Sequence, residues 1–181
     1  MKFPSGSSDR SSGSISKAGI FLGGPAGAGK TALASYLYSQ GWNSLDMDKA
    51  DKSNKVLELL DAPADHPAFQ RRPLVVEGGF LEEATRYQAL INRLELTTFW
   101  LTGTKGQLTK SRLQRRAHWD NVEHIKSSDW LGLIEKYRVL VHWDYQIQMW
   151  HSDGKRKTFE EVTYEIESIV CTGEHRAFPG S

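Results

Sequence analysis

One stretch of nine residues constrains this chain more than any other: Gly23-Gly24-Pro25-Ala26-Gly27-Ala28-Gly29-Lys30-Thr31. From its second residue onwards it matches G-x-x-x-x-G-K-T, a pattern that binds phosphate groups. An apolar run of strand character precedes it at 18–22, and a helical pattern follows it, with Leu33 and Leu37 one turn apart. Because the pattern lies between a strand and a helix, it predicts a phosphate site and not a chance glycine-rich turn.

The residue types in this loop suit a nucleotide polyphosphate. Glycines permit positive φ and a close approach of backbone to ligand, and successive N–H groups form an anion-binding nest at the positive end of the next helix. Lys30 would bring a mobile positive charge to the β- and γ-phosphates, and the Thr31 hydroxyl would coordinate Mg²⁺. ATP and Mg²⁺ are therefore the expected ligands. The predicted nucleotide-binding residues are Gly24, Pro25, Ala26, Gly27, Ala28, Gly29, Lys30 and Thr31.

Strand and helix patterns alternate along the rest of the chain. Further strands are predicted at 42–48, 73–79, 95–103 and 146–150, and helices at 32–40, 49–60, 81–94, 105–119, 130–141 and 158–170. Thr158 and Glu161 form a capping-box pattern at the start of the last helix. The alternation predicts an α/β fold with a parallel sheet covered by helices on both faces. Ligands of such sheets bind beyond the carboxyl ends of the strands, where the glycine-rich loop and several acidic residues fall.

Composition and charge narrow the class of protein. Lys and Arg number 23 and Asp and Glu 22, a net charge of +1, which makes nucleic acid an unlikely partner. No apolar run reaches membrane-spanning length, and the lone Cys171 favours a reducing, cytoplasmic location. We expect a disordered Ser- and Gly-rich arm at 1–16, one domain at 17–170 and a tail at 171–181.

Four stretches together resemble the P-loop kinases that act on small molecules. They are the glycine-rich loop, Leu45-Asp46-Met47-Asp48, Val75-Val76-Glu77-Gly78-Gly79, and Ser111-Arg112-Leu113-Gln114-Arg115-Arg116. The resemblance covers 17 to about 170. It implies a three-layer P-loop kinase fold with a five-stranded parallel sheet in the order 2-3-1-4-5 and helices on both faces.

The Asp-x-Asp element is similar to that of shikimate kinases, in which one carboxylate helps to organise Mg²⁺ and the other holds the acceptor hydroxyl. Period-two spacing would place Asp46 and Asp48 on the same strand face. The resemblance implies that Asp46 contacts the metal and that both Asp46 and Asp48 contact the substrate. Asp48, or in its place Asp46, would orient and deprotonate the acceptor hydroxyl, and Asp48 is the predicted catalytic residue. The alternative is that both residues begin the next helix and interact with its dipole.

The stretch Glu77-Gly78-Gly79 resembles the Glu-Gly element of uridine and nicotinamide riboside kinases and the glycine run of shikimate kinases. A carboxylate that ends an apolar strand is costly unless it faces a cation or water. The resemblance implies that Glu77 binds the metal and that Gly78 and Gly79 border the substrate. The alternative is a carboxylate that is simply solvated at the strand end.

The basic helix over about 105–119 resembles the lid of these kinases. Arg112 and Arg116 lie four residues apart on one helical face and are the predicted catalytic arginines, with Arg115 expected to bind the nucleotide. Arginines on a closing segment stabilise charge on the transferred phosphoryl group. The alternative is a solvated basic face. By position, Ser152-Asp153-Gly154-Lys155 matches the loop near the adenine, although its residues are typical of an ordinary turn.

These observations predict an ATP- and Mg²⁺-dependent phosphotransferase that phosphorylates a hydroxyl of a small metabolite, such as a sugar, a sugar acid or a nucleoside. Two alternatives stay open. One is a kinase for the 5′-hydroxyl of a nucleic acid, which would need a basic groove. The other is a nucleotide-dependent switch or ATPase module, although the Asn-Lys-x-Asp element of switch GTPases is missing from the sequence. The protein is expected to be a monomer or a homodimer.

Overall fold

The computed structural model describes residues 18–47, 55–78, 84–116 and 138–172. Its centre is a five-stranded sheet in the order β2-β3-β1-β4-β5, in which all four neighbouring pairs are parallel. The strands are β1 (Gly19–Gly23), β2 (Asn43–Asp46), β3 (Leu74–Glu77), β4 (Thr97–Thr102) and β5 (Tyr145–Gln148). The strand order places β1, and therefore the glycine-rich loop that follows it, in the middle of the sheet, as the resemblance implied.

Helices connect the strands. They are α1 (Lys30–Ser39), α2 (Lys55–Asp61), α3 (Ala84–Leu94), α4 (Lys105–Arg116) and α5 (Phe159–Thr172), with a short 3₁₀ turn at Pro67–Phe69. Of the helix predicted over 130–141, residues 138–141 are described, and the helix ends at residue 140. None of the helices in the described ranges combines the length and the apolar character that a membrane crossing requires.

Alternate residues of the three central strands, β3, β1 and β4, contribute to two separate hydrophobic cores. Leu22 faces a core that includes Leu33 of α1 and Val162 of α5. Its neighbour Phe21 faces the opposite core, which includes Tyr87 of α3. This division follows from the period-two geometry of a strand. It confirms the predicted three-layer arrangement with helices on both faces of the sheet.

Two of the predicted helix ends are confirmed in detail. The Thr158 hydroxyl accepts a hydrogen bond from Glu161 N at 3.2 Å, and the Glu161 carboxylate accepts one from Thr158 N at 2.7 Å. This reciprocal pair is a capping box. At the end of α1, Gly41 adopts φ +92°, and its N–H donates to Tyr38 O at 3.0 Å. Glycine is favoured there because the left-handed region carries no Cβ penalty for it.

Some element boundaries differ from the predicted ones. β2 ends at Asp46, two residues earlier than expected. β5 starts at Tyr145 and ends at Gln148, whereas 146–150 was predicted. The apolar residues after Gln148 do not continue the strand: Trp150 is buried beside Met149 and forms an antiparallel bridge with Arg156 across a turn. The predicted arm at 1–16 lies outside the described residues. Of the predicted tail at 171–181, the first two residues belong to α5, and 173–181 lie outside the described residues.

Candidate active site

The glycine-rich loop lies at the carboxyl end of β1 and leads directly into α1. Inside the loop, Ala28 N donates to Pro25 O at 3.1 Å. The Lys30 ammonium folds back and donates to Gly24 O at 2.8 Å. The loop therefore forms a closed turn. Lys30, the first residue of α1, holds its positive charge against Gly24 at the start of the loop. Backbone N–H groups and a cation in this arrangement can bind a phosphate chain.

Gly24 is required at its position by a contact with the neighbouring strand. Its φ is +140°, and a Cβ there would lie 2.5 Å from the carbonyl oxygen of Leu101 in β4. A backbone oxygen inside a sheet cannot move away at low cost. The first glycine of the motif therefore lets the loop pass close to β4.

β2 and β3, which lie on the side of β1 away from β4, each end in an acidic residue. Asp46 is the last residue of β2 and Glu77 the last of β3, and the two are partners in the parallel register. Met47 N also donates to Glu77 O at 2.8 Å, which ties the two strand ends together. Register partners on adjacent strands project to the same face of a sheet. The prediction that these carboxylates lie near each other is consistent with this geometry.

Glu77 is buried, with 1% of its surface exposed. Strand alternation places it on the same face as Val75, which belongs to the core beneath α1. α1 packs against both β2 and β3, and it begins with Lys30 and Thr31. The buried carboxylate and the first turn of α1 therefore lie on the same side of the sheet, next to the glycine-rich loop.

These residues fit a nucleotide polyphosphate with Mg²⁺. The loop leads into the N-terminus of α1, where backbone N–H groups can bind phosphate, and carboxylate and hydroxyl oxygens are the ligands that Mg²⁺ prefers. Across the described ranges, no group of three or more His, Cys, Asp and Glu side chains could hold a metal ion. Mg²⁺ bound with phosphates commonly uses one or two carboxylates, with phosphate and water oxygens completing the shell. Asp46, Glu77 and Thr31 are the residues that would hold it.

A cavity of about 390 Å³ opens beside the loop. It lies between the loop, α4 and the start of α5. Its lining residues are Gly27, Gly29, Ala32, Ser111, Gln114, Arg156 and Phe159. A chamber that adjoins a phosphate-binding loop is where the remainder of a nucleotide would extend.

Residues 152–155, whose position in the sequence matches the loop near the adenine, form a turn that leads to the cavity-lining Arg156. Lys155 N donates to Asp153 Oδ1 at 2.9 Å, and this hydrogen bond is the main reason that the pKa of Asp153 is lowered. Gly154 adopts φ +82°. Residues 152–155 are themselves exposed. These residues build an ordinary turn, as their composition predicts, and a position near the adenine remains a prediction.

Arg156, the next residue, was not predicted as a site residue. Its Nη2 donates to Ala28 O of the glycine-rich loop at 3.0 Å. Its guanidinium lies over the Trp150 ring, 5.1 Å from the centroid, and Nη1 makes a longer contact of 3.4 Å with Ser111 Oγ of α4. The donor and the loop acceptor are 128 residues apart. Only its place just after the last strand could have indicated it.

Several predicted residues lie partly or wholly outside what the structure describes. Asp48 and Gly79 are outside the described residues. Arg112, Arg115 and Arg116 belong to α4, which begins at Lys105 as predicted, but their side chains lie outside the described part. The lid residues 117–119 also lie outside it. The roles assigned to these residues remain predictions.

Gly78 is described, and it has a clear packing role. A Cβ at this position would lie 2.7 Å from the hydroxyl of Tyr87 in α3. The absence of a side chain lets the end of β3 pack closely against Tyr87. Its expected role beside the substrate remains a prediction.

The fold matches solved structures of P-loop kinases. A shikimate kinase from Acinetobacter baumannii in complex with shikimate aligns with a TM-score of 0.51 and 18% identity, over 87% of this chain and 94% of that one. A gluconokinase from Sinorhizobium meliloti 1021 aligns with a TM-score of 0.51 and 13% identity, over 86% of this chain and 92% of that one. No family model matches the sequence, and no curated protein matches it significantly. The chain therefore has the P-loop kinase fold.

Proposed function

We propose that this protein is an ATP- and Mg²⁺-dependent phosphotransferase that phosphorylates a hydroxyl group of a small metabolite. The observation that carries the proposal is the conjunction of the closed glycine-rich loop, with Lys30 at its start, and the register pair of Asp46 and Glu77 beside it. A phosphate-binding loop alone suits any nucleotide-binding protein. The adjacent acidic strand ends add the oxygen ligands and the acceptor contacts that phosphoryl transfer to a hydroxyl needs.

Each of these residues has a distinct task in this proposal. Lys30 leaves Gly24 O and binds the β- and γ-phosphates, while the loop N–H groups hold the phosphate chain. Thr31, Asp46 and Glu77 hold the metal ion, which neutralises phosphate charge when it is bound. The arginines of α4 close over the phosphates.

In the reaction, the acceptor oxygen forms a bond to the γ-phosphorus while the bond to the β,γ-bridging oxygen breaks. The hydroxyl proton passes to a carboxylate, Asp48 in the first place or Asp46. ADP carries away the electron pair of the broken bond. Catalysis of this kind depends mainly on positioning and on electrostatic stabilisation.

The proposed acceptor is a sugar, a sugar acid or a nucleoside-like alcohol. Solved structures with this fold include a shikimate kinase bound to shikimate and a gluconokinase. Both of those names refer to polyhydroxylated acids, which makes sugar acids and related cyclic polyols the first compounds to test. The near-neutral net charge of +1 gives no support to a nucleic-acid acceptor.

A substrate panel tests this proposal. The purified chain is incubated with ATP and Mg²⁺ and with gluconate, shikimate, simple sugars, nucleosides or a 5′-hydroxyl oligonucleotide, and ADP release is followed. The proposal predicts that one small hydroxyl compound accelerates ADP release and gains a phosphate detectable by mass spectrometry. Acceleration by the oligonucleotide alone would favour the nucleic-acid kinase. ADP release that no acceptor alters would favour an ATPase module.

A further inference from the structure

Arg156 connects three segments that are distant in the sequence. Besides Ala28 O at 3.0 Å, its guanidinium contacts the Trp150 ring and the Ser111 hydroxyl. The ring on one side and the hydroxyl on another restrict where the guanidinium can lie. Stacked and forked contacts of this kind are specific to arginine, and lysine cannot reproduce them. The hydrogen bond to the glycine-rich loop is thus made by a side chain that is held in place.

The bond to Ala28 O also constrains the next N–H group. The peptide between Ala28 and Gly29 is planar and trans, so its C=O and N–H point in opposite directions. Because Arg156 holds the C=O, the Gly29 N–H is directed away from Arg156. Throughout the described ranges, this N–H donates to no protein acceptor. A cationic donor on the carbonyl also polarises the peptide and strengthens its N–H as a donor.

Gly29 is adapted to this contact. It adopts φ +104° immediately before α1, and a Cβ there would lie 2.3 Å from Arg156 Nη2. A side chain at position 29 would strain the backbone and would also displace the guanidinium. The glycine and the arginine therefore depend on each other.

We propose that Arg156 is a positioning residue that orients the Ala28–Gly29 peptide so that the Gly29 N–H binds the phosphate chain. The inference rests on the proposed function, because it assumes that the loop binds a polyphosphate. Arg156 acts here through the loop and on the phosphates. It would not need to touch the nucleoside, although it lines the cavity beside the loop.

Calorimetric titration of the full chain separates a role towards the phosphates from a role towards the nucleoside. Wild type, Arg156→Ala and Arg156→Lys are titrated with MgATP, with magnesium tripolyphosphate, which has no base or ribose, and with adenosine. A charge-assisted hydrogen bond is worth about a factor of ten in affinity. We expect Arg156→Ala to lower the affinity for MgATP and for magnesium tripolyphosphate by the same factor, about tenfold or more. The affinity for adenosine should not change. Arg156→Lys keeps the charge and should give an intermediate loss for both polyphosphates.

The neighbouring Lys155 provides a matched control for charge. Its side chain is 83% exposed and pairs with Asp153. Lys155→Ala therefore removes the same charge one residue away and should leave the affinities for MgATP and tripolyphosphate unchanged.

If Arg156→Ala weakens the binding of MgATP but not that of tripolyphosphate, the arginine contacts the nucleoside and the inference is wrong. Unchanged affinity for both ligands would also overturn it. If Arg156→Ala does not fold, as judged by circular dichroism, the Arg156→Lys comparison decides. Failure of the wild type to bind either polyphosphate would instead refute the proposed function.

Discussion

Asp46 and Glu77 are register partners at the last positions of two adjacent parallel strands, and the backbone of the next residue, Met47, donates to Glu77 O at 2.8 Å. The pair lies on the side of the sheet where the glycine-rich loop enters α1. The 1% exposure of Glu77 shows that a carboxylate is kept in a nearly dry position. Burial of a charge is costly unless the charge is paired and hydrogen-bonded or binds a metal, and the metal-binding role proposed for this residue is consistent with such a position.

The first prediction concerns Glu77 and the magnesium requirement. Glu77→Gln keeps the shape of the side chain and removes the charge, so the concentration of Mg²⁺ that gives half-maximal activity should rise by about 10–100-fold. Titration of the rate of ADP release with Mg²⁺ measures this. Glu58→Gln, at an exposed position of α2, is the matched control and should leave the Mg²⁺ requirement unchanged. An unaltered requirement in Glu77→Gln would remove this residue from the metal site.

The second prediction concerns Gly24. Gly24→Ala should lower the free energy of unfolding by about 1–3 kcal/mol, because it combines an unfavourable φ with a contact to Leu101 O. It should also weaken nucleotide binding, because the loop would have to shift. Chemical denaturation and MgATP titration measure the two effects. Gly106→Ala, with no atom within 4 Å of the added Cβ, should not weaken binding. A Gly24→Ala protein as stable as wild type would contradict the close approach to β4.

The third prediction concerns the arginines of α4. Only part of one helical face can point inwards. We therefore expect a large loss of kcat in two of three single variants and almost none in the third; the variants are Arg112→Ala, Arg115→Ala and Arg116→Ala. An arginine that stabilises charge in the transition state is worth about three orders of magnitude or more in kcat, whereas a solvated one is worth almost nothing. kcat should fall more than ATP affinity in the severe variants. Normal kcat in all three would mean that α4 presents only a basic surface.

The fourth prediction concerns the capping box of α5 and pH. The hydrogen bond from Thr158 N–H, followed by that from the Thr158 hydroxyl, lowers the pKa of Glu161 below its usual value of 4.5. A lowered folded pKa means that the ionised carboxylate stabilises the fold above about pH 4.5, and that this contribution is lost as the pH falls through the folded pKa.

Thermal unfolding of Glu161→Gln checks the direction in which this contribution to stability changes with pH. Its melting temperature should lie below that of wild type at about pH 7, and the gap should narrow towards about pH 3. Glu160→Gln, outside the capping box, serves as the control and should show no such narrowing. A gap that is constant across this range would contradict the argument from the pKa.

The parts of the fold that depend on local chemistry could be predicted from the sequence. The glycine-rich loop, the capping box of Thr158 and Glu161 and the glycine at the end of α1 each need only a few neighbouring residues, and each is present in the structure. The strand order could be inferred because the resemblance to P-loop kinases implied it.

Long-range contacts could not be predicted in the same way. Arg156 and Ala28 meet across 128 residues, and no periodicity links them. The predicted end of β5 at Trp150 was wrong, because an apolar residue near a strand does not show whether its side chain packs as part of that strand or after a turn. Gly78 illustrates the same limit, since its contact with Tyr87 depends on where α3 returns to the sheet.

The measurement that tests the central claim most directly is the rate of phosphoryl transfer by Lys30→Ala, with the acceptor found in the substrate panel. Lys30 is partly exposed and donates to Gly24 O, so the variant should fold, as a thermal melt will show. We predict that its rate falls by about 10²-fold or more, because a positive charge aimed at the transferred phosphoryl group is lost, while Lys155→Ala keeps the wild-type rate. A folded Lys30→Ala protein with near-normal turnover would contradict the assignment of this loop as the phosphoryl-transfer site.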